Sequence, residues 1–554
     1  MARNVLQSSL QSASFSIVFQ IFCRCVTFAI NAFIVRTVGR DVLGIMNVRL
    51  LLLESTLLFL SKEAINRAAL SSTTQHHSKC SWAQLINQMW LTVPICTALS
   101  IPCLYIWLNL LSPVENHLWT QYKFGCLAMT ISCILELCAE APLFIAQVFC
   151  FVKLKVVLDT LHIFVRSVVF IGIVLKNPDI AIYAFGIAQL ASIFAIVVGY
   201  YAYFYTYISK KDDDPSRETS EDEPDKEHTL ADKFPLQSVA ELLPGVLRNK
   251  DKPFNPELQT LTLSFVKQGV LKQILTEGEK YVMSVSPVLT FSEQATYDVV
   301  NNLGSLAARF IFRPIEDSSY FYFTQTIARD VDLKKQNKIK VLEAAEVLKT
   351  VCKTVSSVGL LVLVFGQFYS GICLLFYGGA DFVAGGLPET LLRWHCLSIL
   401  FLAVNGITEG YMFATNTSKD IDTYNYYMAV FSIMFLVLSY AFTNVFGPVG
   451  LILANCLNML CRISYSTYFI HNKYKDININ PLEGIIPGKT FAVALISSTI
   501  ILTFAKNRLL DYSILYFFAW GCLCGAFTLL AWAFENRTLV KQLIEKYGSK
   551  LKKT

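Results

Sequence analysis

The chain has 554 residues, of which 54% are hydrophobic and 16% charged, and its formal net charge is +6. Ordinary soluble domains hold roughly 45–50% apolar and about 25% charged residues. This composition therefore excludes an ordinary soluble protein and favours an integral membrane protein.

Apolar stretches as long as a membrane-spanning helix, about 20 residues, recur from Phe15 to Trp532. The residues before Phe15 are polar and no small-residue cleavage site follows the first run, so we interpret that run as a permanent helix. The pattern predicts an all-α polytopic membrane protein with about 14 transmembrane helices. They are expected at residues 14–35, 41–60, 84–110, 121–150, 155–175, 180–207, 259–290, 295–326, 343–376, 390–415, 422–443, 447–470, 488–506 and 510–534.

A polar segment, 209–257, interrupts this series and carries the runs K-K-D-D-D-P and E-T-S-E-D-E-P-D-K-E. Its dense charge and low hydrophobicity are typical of a solvated linker between two lobes. We therefore expect an N-terminal lobe of six helices and a C-terminal lobe of six, then two extra helices and a basic tail. The five parts are residues 1–208, 209–257, 258–471, 472–534 and 535–554.

Lysine and arginine are concentrated in the loops that share a side with the N-terminus, which predicts that both termini are cytosolic. The sequons at Asn416 and Asn536 then fall on the cytosolic side, so we expect no glycosylation. The ending K-L-K-K-T places Lys550 and Lys552 where a dilysine retrieval signal of the endoplasmic reticulum would have them.

Metal and cofactor chemistry finds little support in the sequence. Most of the 16 cysteines lie in apolar helical stretches, where free cysteine packs as a small hydrophobic residue. The chain has no C-x-x-C pair, no H-E-x-x-H and no G-x-x-x-x-G-K-[ST]. We expect no metal, no nucleotide, no other cofactor and no nucleic-acid partner.

Charged residues inside the predicted helices are candidates for function, because each costs free energy in the bilayer unless it faces a cavity or a partner. Arg24 has no acid within one helical turn, whereas Glu136 and Glu140 share a helix face. Glu54, Arg166 and Arg462 interrupt other predicted helices. For each of these residues a structural ion pair, such as Glu54 with Arg24, stays an open alternative.

The densest group of charges runs from Glu277 to Glu316. Glu277, Glu279 and Lys280 surround Gly278, a pattern that favours a broken helix lining a cavity. Arg309, Arg313 and Glu316 follow at helical spacing on one stripe, which cannot face lipid. Because a guanidinium offers paired donors and keeps its charge, the arginines indicate an anionic head group such as pyrophosphate.

The run S-E-Q-A-T-Y-D-V-V-N-N-L-G-S-L-A-A-R-F-I-F-R-P-I-E-D, Ser292–Asp317, closely resembles the hallmark segment of the eukaryotic Rft family. F-L-S-K-E-A-I-N-R-A at Phe59–Ala68 and E-G-E-K-Y-V-M at Glu277–Met283 support the resemblance. It implies a protein of the endoplasmic-reticulum membrane in the multidrug/oligosaccharidyl-lipid/polysaccharide exporter superfamily, with two lobes around a central cavity.

The resemblance also implies a substrate, dolichyl-pyrophosphate-linked Man5GlcNAc2, flipped from the cytosolic to the lumenal leaflet for protein N-glycosylation. Membrane lipid and other proteins of that pathway would be partners. Cavity arginines hold pyrophosphate in related flippases, a role that transfers to Arg24, Arg309 and Arg313. Asn66 stands where relatives carry a second basic residue, so Arg67 alone is the expected head-group contact there, unless it only anchors its helix. The expected substrate-binding residues are Arg24, Arg67, Glu277, Glu279, Lys280, Arg309, Arg313, Glu316 and Arg462.

Three other functions stay open on the sequence. A non-transporting accessory protein could bind and present the same glycolipid. An ion-coupled small-molecule exporter could use Glu54, Glu136 or Glu140. A membrane glycosyltransferase would need carboxylates on a sizeable lumenal loop, but the predicted lumenal loops are short, so we expect a transporter rather than an enzyme.

Overall fold

The computed structural model describes residues 26, 28–74, 80–149, 151–212, 234, 236–247, 253–329, 331–475, 477, 479–509, 513–537 and 540. Within these ranges the chain is helical, with no strand. Its contacts divide it into two compact units, Met1–Ala295 and Thr296–Thr554, which we call unit 1 and unit 2.

Unit 1 contains nine described helices and the start of a tenth. A short helix, α1, is followed by a long span, α2, whose hydrogen bonding changes to π-helical at Ile45–Leu50 and Phe59–Glu63. The bounds are α1 Phe28–Thr37, α2 Arg40–Ser72, α3 Trp82–Leu110, α4 Asn116–Leu137, α5 Glu140–Val148, α6 Val152–Val174, α7 Ala181–Asp212, α8 Pro256–Thr276, α9 Gly278–Val285 and α10 Phe291–Ala307.

The boundary between the units falls within α10, and unit 2 contains seven further described helices. A π-helical turn, Ala308–Phe312, joins α10 to the next helix without a loop. The remaining bounds are α11 Arg313–Thr326, α12 Lys338–Val383, α13 Leu387–Thr415, α14 Ser418–Phe446, α15 Val449–Lys475, α16 Lys489–Leu509 and α17 Ile514–Glu535.

Ten of the described helices are long and apolar enough to cross a membrane, or eleven if the bent pair α4 and α5 forms one span. The predicted helices at 259–290 and 295–326 exist, as α8 with α9 and as α10 with α11, but neither pair is among these candidates. Both carry the charges singled out in the sequence, which lower their hydropathy. Most of the predicted first helix lies outside the described residues.

The division between the units falls at Ala295, whereas the sequence placed the lobe boundary in the segment 209–257. The reason is that α8 and α9 pack against α2. Gln273 of α8 donates to the Ser55 hydroxyl at 3.1 Å, and the hydroxyls of Thr56 and Tyr281 lie 2.7 Å apart. Hydrogen bonds between side chains so far apart in the sequence cannot be predicted from hydrophobic periodicity.

The end of the predicted linker is also packed, although its most charged part, 213–233, lies outside the described residues. Leu236 and Leu242 are buried in the core of unit 1. The Trp90 indole donates to the Leu242 carbonyl at 2.7 Å, and the Asn87 amide oxygen accepts from the Gly245 backbone at 2.9 Å. Residues 236–247 therefore form a strap across α3 rather than a solvated chain.

Candidate functional site

Three of the four π-helical turns described in the chain carry one basic residue each. Arg49 lies in Ile45–Leu50, Lys62 in Phe59–Glu63 and Arg309 in Ala308–Phe312. A π-turn inserts an extra residue into the helical ladder and changes the direction of the side chains that follow, which is why such turns recur at functional sites. Each of these three turns therefore places a basic side chain at a distortion of its helix.

Two exposed arginines in unit 2 are the cations, among the described residues of the expected site, that have no carboxylate at hydrogen-bond distance. Arg309 donates from Nη2 to the Ser305 hydroxyl at 2.7 Å and to the Asn302 amide oxygen at 3.4 Å, both neutral acceptors. Arg313 forms no hydrogen bond or ion pair with the described residues, and both side chains are exposed. We call Arg309 and Arg313 the arginine pair.

Glu316, predicted on one stripe with Arg309 and Arg313, is half buried, whereas both arginines are exposed. Its side chain is half buried and packs on Gly406 of α13, where an added Cβ would overlap the carboxylate. The π-turn at Ala308–Phe312 explains the difference, because a wider turn shifts the register between residues 309 and 316 away from ideal α-helical spacing. The glycine is needed for this close approach of α11 to α13.

Arg462 forms an ion pair with Glu409, and the side chains are 30% and 9% exposed, respectively. Its Nη2 lies 2.7 Å from Oε1 and 2.6 Å from Oε2 of Glu409. Tyr424 donates its hydroxyl to Oε1 and Asn405 its amide to Oε2, each at 2.9 Å. With both carboxylate oxygens and the guanidinium engaged, the structural ion pair that the sequence left open describes Arg462.

The predicted break in the helix around Gly278 is present, since α8 ends at Thr276 and α9 begins at Gly278. Glu277, between the two helices, accepts from the Ser55 hydroxyl and from Lys280 Nζ, each at 3.0 Å. Lys280 is therefore neutralised within its own turn. Glu279, the residue before Lys280, is half buried.

Arg67 is paired as well, although more loosely. Its Nη2 lies 2.6 Å from Glu63 Oε1, one turn earlier on the same helix, and both side chains are about a third exposed (38% and 34%). An exposed pair of this kind contributes little to stability and can exchange partners. Arg24, Lys550 and Lys552 lie outside the described residues.

The cluster of Lys62, Glu136 and Glu140, which we call the Lys62 triad, went unrecognised in the sequence. Lys62 Nζ lies 2.7 Å from Glu136 Oε1 and 3.6 Å from Glu140 Oε2. Asn66 donates its amide to the other Glu140 oxygen at 3.3 Å. Lys62 and Asn66 both belong to the F-L-S-K-E-A-I-N-R-A motif, but only folding brings that motif to α4 and α5.

Arg49 was missed too, and it is the largest side chain that is fully buried. Its Nη2 donates to the Ser284 carbonyl at 3.0 Å and to Ser112, and its Cζ lies 5.2 Å from the centre of the Phe291 ring. No described carboxylate pairs with it. Ser284 and Ser112 lie at the C-terminal ends of α9 and α3, whose helix dipoles favour a cation.

Glu54 and Arg166, two further candidates of unit 1, act on each other electrostatically, and each has a further contact. Gln189 donates its amide to Glu54 Oε1 at 2.7 Å, and the Arg166 guanidinium lies 4.7 Å above the Phe185 ring. Among the described residues, no group of three or more His, Cys, Asp or Glu side chains could hold a metal ion. The arrangement offers anion binding at the arginine pair and charge pairing elsewhere.

Solved structures show the same fold at low sequence identity. A lipid II flippase, MurJ, in an inward closed conformation matches with a TM-score of 0.54 and 13% identity, over 93% of this chain and 100% of that one. An inward-facing multidrug resistance MATE family transporter of the MOP superfamily matches with a TM-score of 0.53 and 11% identity, over 81% and 94%. The fold is that of this group of transporters.

Curated relatives match along the length of the chain. A Drosophila melanogaster protein named Man(5)GlcNAc(2)-PP-dolichol translocation protein RFT1 is 60% identical over 100% of both chains. The Mus musculus protein of that name is 40% identical over 87% of this chain and 86% of its own. The family model described as Rft protein matches residues 8–546. With the hallmark segment placed on α10, the π-turn and α11, the chain belongs to the Rft protein family.

Proposed function

We propose that this protein translocates dolichyl-pyrophosphate-linked Man5GlcNAc2 from the cytosolic to the lumenal leaflet of the endoplasmic-reticulum membrane, for protein N-glycosylation. Relatives up to 60% identical carry the name of a translocation protein for this glycolipid. The fold, shared with a lipid flippase, supports movement of a lipid rather than chemistry on it.

The arginine pair is the observation that carries the proposal. A pyrophosphate presents several anionic oxygens, and guanidinium groups bind such oxygens through charge-assisted hydrogen bonds. The other predicted cations described, Arg67, Lys280 and Arg462, each have a carboxylate partner at hydrogen-bond distance. Among the expected site residues that the structure describes, Arg309 and Arg313 are the exposed cations without a carboxylate at hydrogen-bond distance, and Arg24 is proposed to join them.

The polar character of α8 to α11 supports a wet cavity along these helices. Exposed charge on a membrane-embedded helix is stable only against water or protein. We therefore propose that these helices complete a set of about fourteen transmembrane helices in two lobes, with their polar faces lining a central cavity. Both termini are assigned to the cytosol from the distribution of Lys and Arg.

Binding and translocation measured side by side test this function. Purified protein in liposomes is given fluorescent dolichyl-pyrophosphate heptasaccharide, and both the bound fraction and the leaflet exchange are recorded. Arg309→Gln with Arg313→Gln is expected to lower both by at least tenfold, the loss of roughly 1.4 kcal/mol or more of binding free energy. Arg508→Gln, a change at another exposed arginine on α16, is the matched control and should leave both unchanged.

The outcomes also separate translocation from an accessory role. Binding that depends on the arginine pair, without any leaflet exchange, would show a protein that presents the glycolipid. Equal binding by the wild type and the double variant would remove the arginine pair from the site.

A further inference from the structure

The Lys62 triad lies at the bend of a broken membrane span. Helices α4 and α5 meet at an angle of 47°. Glu136 is in the last turn of α4 and Glu140 is the first residue of α5, so the two carboxylates stand on opposite sides of the break. Lys62, from the π-turn of α2, reaches both of them. One ammonium group thus links both sides of the bend.

The charges of the triad do not balance. Two carboxylates face a single ammonium, and the Glu140 side chain is only 1% exposed. Glu140 Oε1 receives the Asn66 amide, but Oε2 has no hydrogen bond. Burying an unpaired charge is costly, and when two carboxylates share a site the usual result is that one of them takes up a proton.

Charged groups of both signs lie around the triad. The charges of Lys62, Glu136 and Glu63 act on the Glu140 carboxyl, while Arg166 acts on Glu54 and Lys155 on Asp159. The Tyr200 hydroxyl faces the triad from α7, is 3% exposed and has no hydrogen-bond partner. The titratable groups that act on the triad from the packed elements are Glu54, Glu63, Cys96, Cys133, Asp159, His162 and Tyr200.

We propose that Glu140 is a proton-binding site that controls the bend between α4 and α5. The proton enters where Lys62 and Glu136 are about a quarter exposed (23% and 24%) and adds to Glu140 Oε2. The triad is then neutral, with one ammonium facing one carboxylate. Lys62 stays with Glu136 on α4, and α5 is free to change its angle. This site is independent of the glycolipid proposal, because its ligand is a proton.

Infrared spectroscopy of the full-length protein in lipid nanodiscs tests the site directly. Wild type should show a protonated carboxyl band at neutral pH that titrates away on raising the pH. Glu140→Gln should abolish this band, and so should Glu136→Gln, because one ammonium then faces one carboxylate. Glu316→Gln, at a half-buried carboxyl group outside the triad, is the control and should retain it. A wild type without the band, or a band that survives Glu140→Gln, would overturn the proposal.

Hydrogen exchange tests whether protonation of Glu140 controls the bend between α4 and α5. Glu140→Gln imitates the protonated side chain, so at a pH high enough to remove the carboxyl band of wild type, amides of α5 should exchange about tenfold faster in the variant than in wild type, as expected when a local opening becomes easier. Amides of α16 serve as the internal reference. If the carboxyl band is present but α5 exchanges at the same rate in both proteins, the control of the bend is refuted. Both variants keep a neutral hydrogen-bonding side chain, so the fold is expected to survive.

Discussion

Arg462 holds both oxygens of Glu409 with one guanidinium nitrogen, at 2.7 and 2.6 Å, and thereby joins α15 to α13 inside unit 2. Arg309, in the same unit, has no carboxylate at this distance and is exposed. The two arginines were alike as sequence features, each a cation in an apolar helix. The structure separates them, because Arg462 is held in an ion pair and Arg309 contacts only the neutral side chains of Ser305 and Asn302.

The first prediction concerns that ion pair. Arg462→Met should destabilise the protein by about 3–5 kcal/mol, because it leaves the Glu409 carboxylate buried without its partner. Thermal unfolding in detergent measures the loss, and Arg462→Met with Glu409→Gln should recover part of it. A variant that unfolds like wild type but no longer binds glycolipid would instead place Arg462 in the binding site.

Arg49 should behave differently, because its removal leaves no buried acid behind. Arg49→Met removes the hydrogen bonds to the Ser284 carbonyl and to Ser112, a loss of about 1–3 kcal/mol, while the Ser112 hydroxyl keeps its bond to the Ser284 carbonyl. The loss of unfolding free energy should therefore be smaller than for Arg462→Met, measured under the same conditions. An equal or larger loss would indicate an acidic partner for Arg49.

Gly406 is expected to tolerate no side chain while Glu316 is present. Gly406→Ala places a methyl group on the Glu316 carboxylate and should cost about 1–3 kcal/mol of stability through overpacking. Glu316→Ala in the same chain removes the overlap and should restore most of the loss in thermal unfolding. Additive losses in the double variant would show that the two residues do not touch.

The strap offers a test of local stability. Trp90→Phe keeps an aromatic ring but loses the hydrogen bond to the Leu242 carbonyl, worth about 1 kcal/mol. Hydrogen exchange of residues 236–247 should rise severalfold, while α12 stays unchanged as a reference. Unchanged exchange in the strap would mean that Leu236 and Leu242 hold it by burial alone.

The sequence predicted the helices well, because each is encoded by a local run of apolar residues. It also located the break at Gly278, where glycine and adjacent charges are local signals. It could not locate the strap, because the few apolar residues of 236–247 follow a densely charged run. Their burial depends on Trp90 and Asn87, far away in the chain.

The residues of the candidate site stay a prediction, and local signals proposed only some of them. Arg309 and Arg313 were proposed because an arginine in an apolar helix is visible locally. The Lys62 triad depends on contacts between residues 62, 136 and 140. The buried Arg49 depends on contacts with residues 112 and 284. Helical periodicity predicts only contacts between residues that are close in the sequence. The π-turn at Ala308–Phe312, which precedes Glu316, also has no simple signature in the sequence.

We propose that this chain itself moves a dolichyl-pyrophosphate glycolipid across a bilayer. The most direct measurement is the rate of leaflet exchange of dolichyl-pyrophosphate heptasaccharide in liposomes that contain only the purified protein, beside liposomes without protein. We expect exchange that scales with the amount of protein and falls to the protein-free rate in the Arg309→Gln, Arg313→Gln variant. Exchange no faster than in protein-free liposomes, from a folded protein that binds the glycolipid, would contradict the claim.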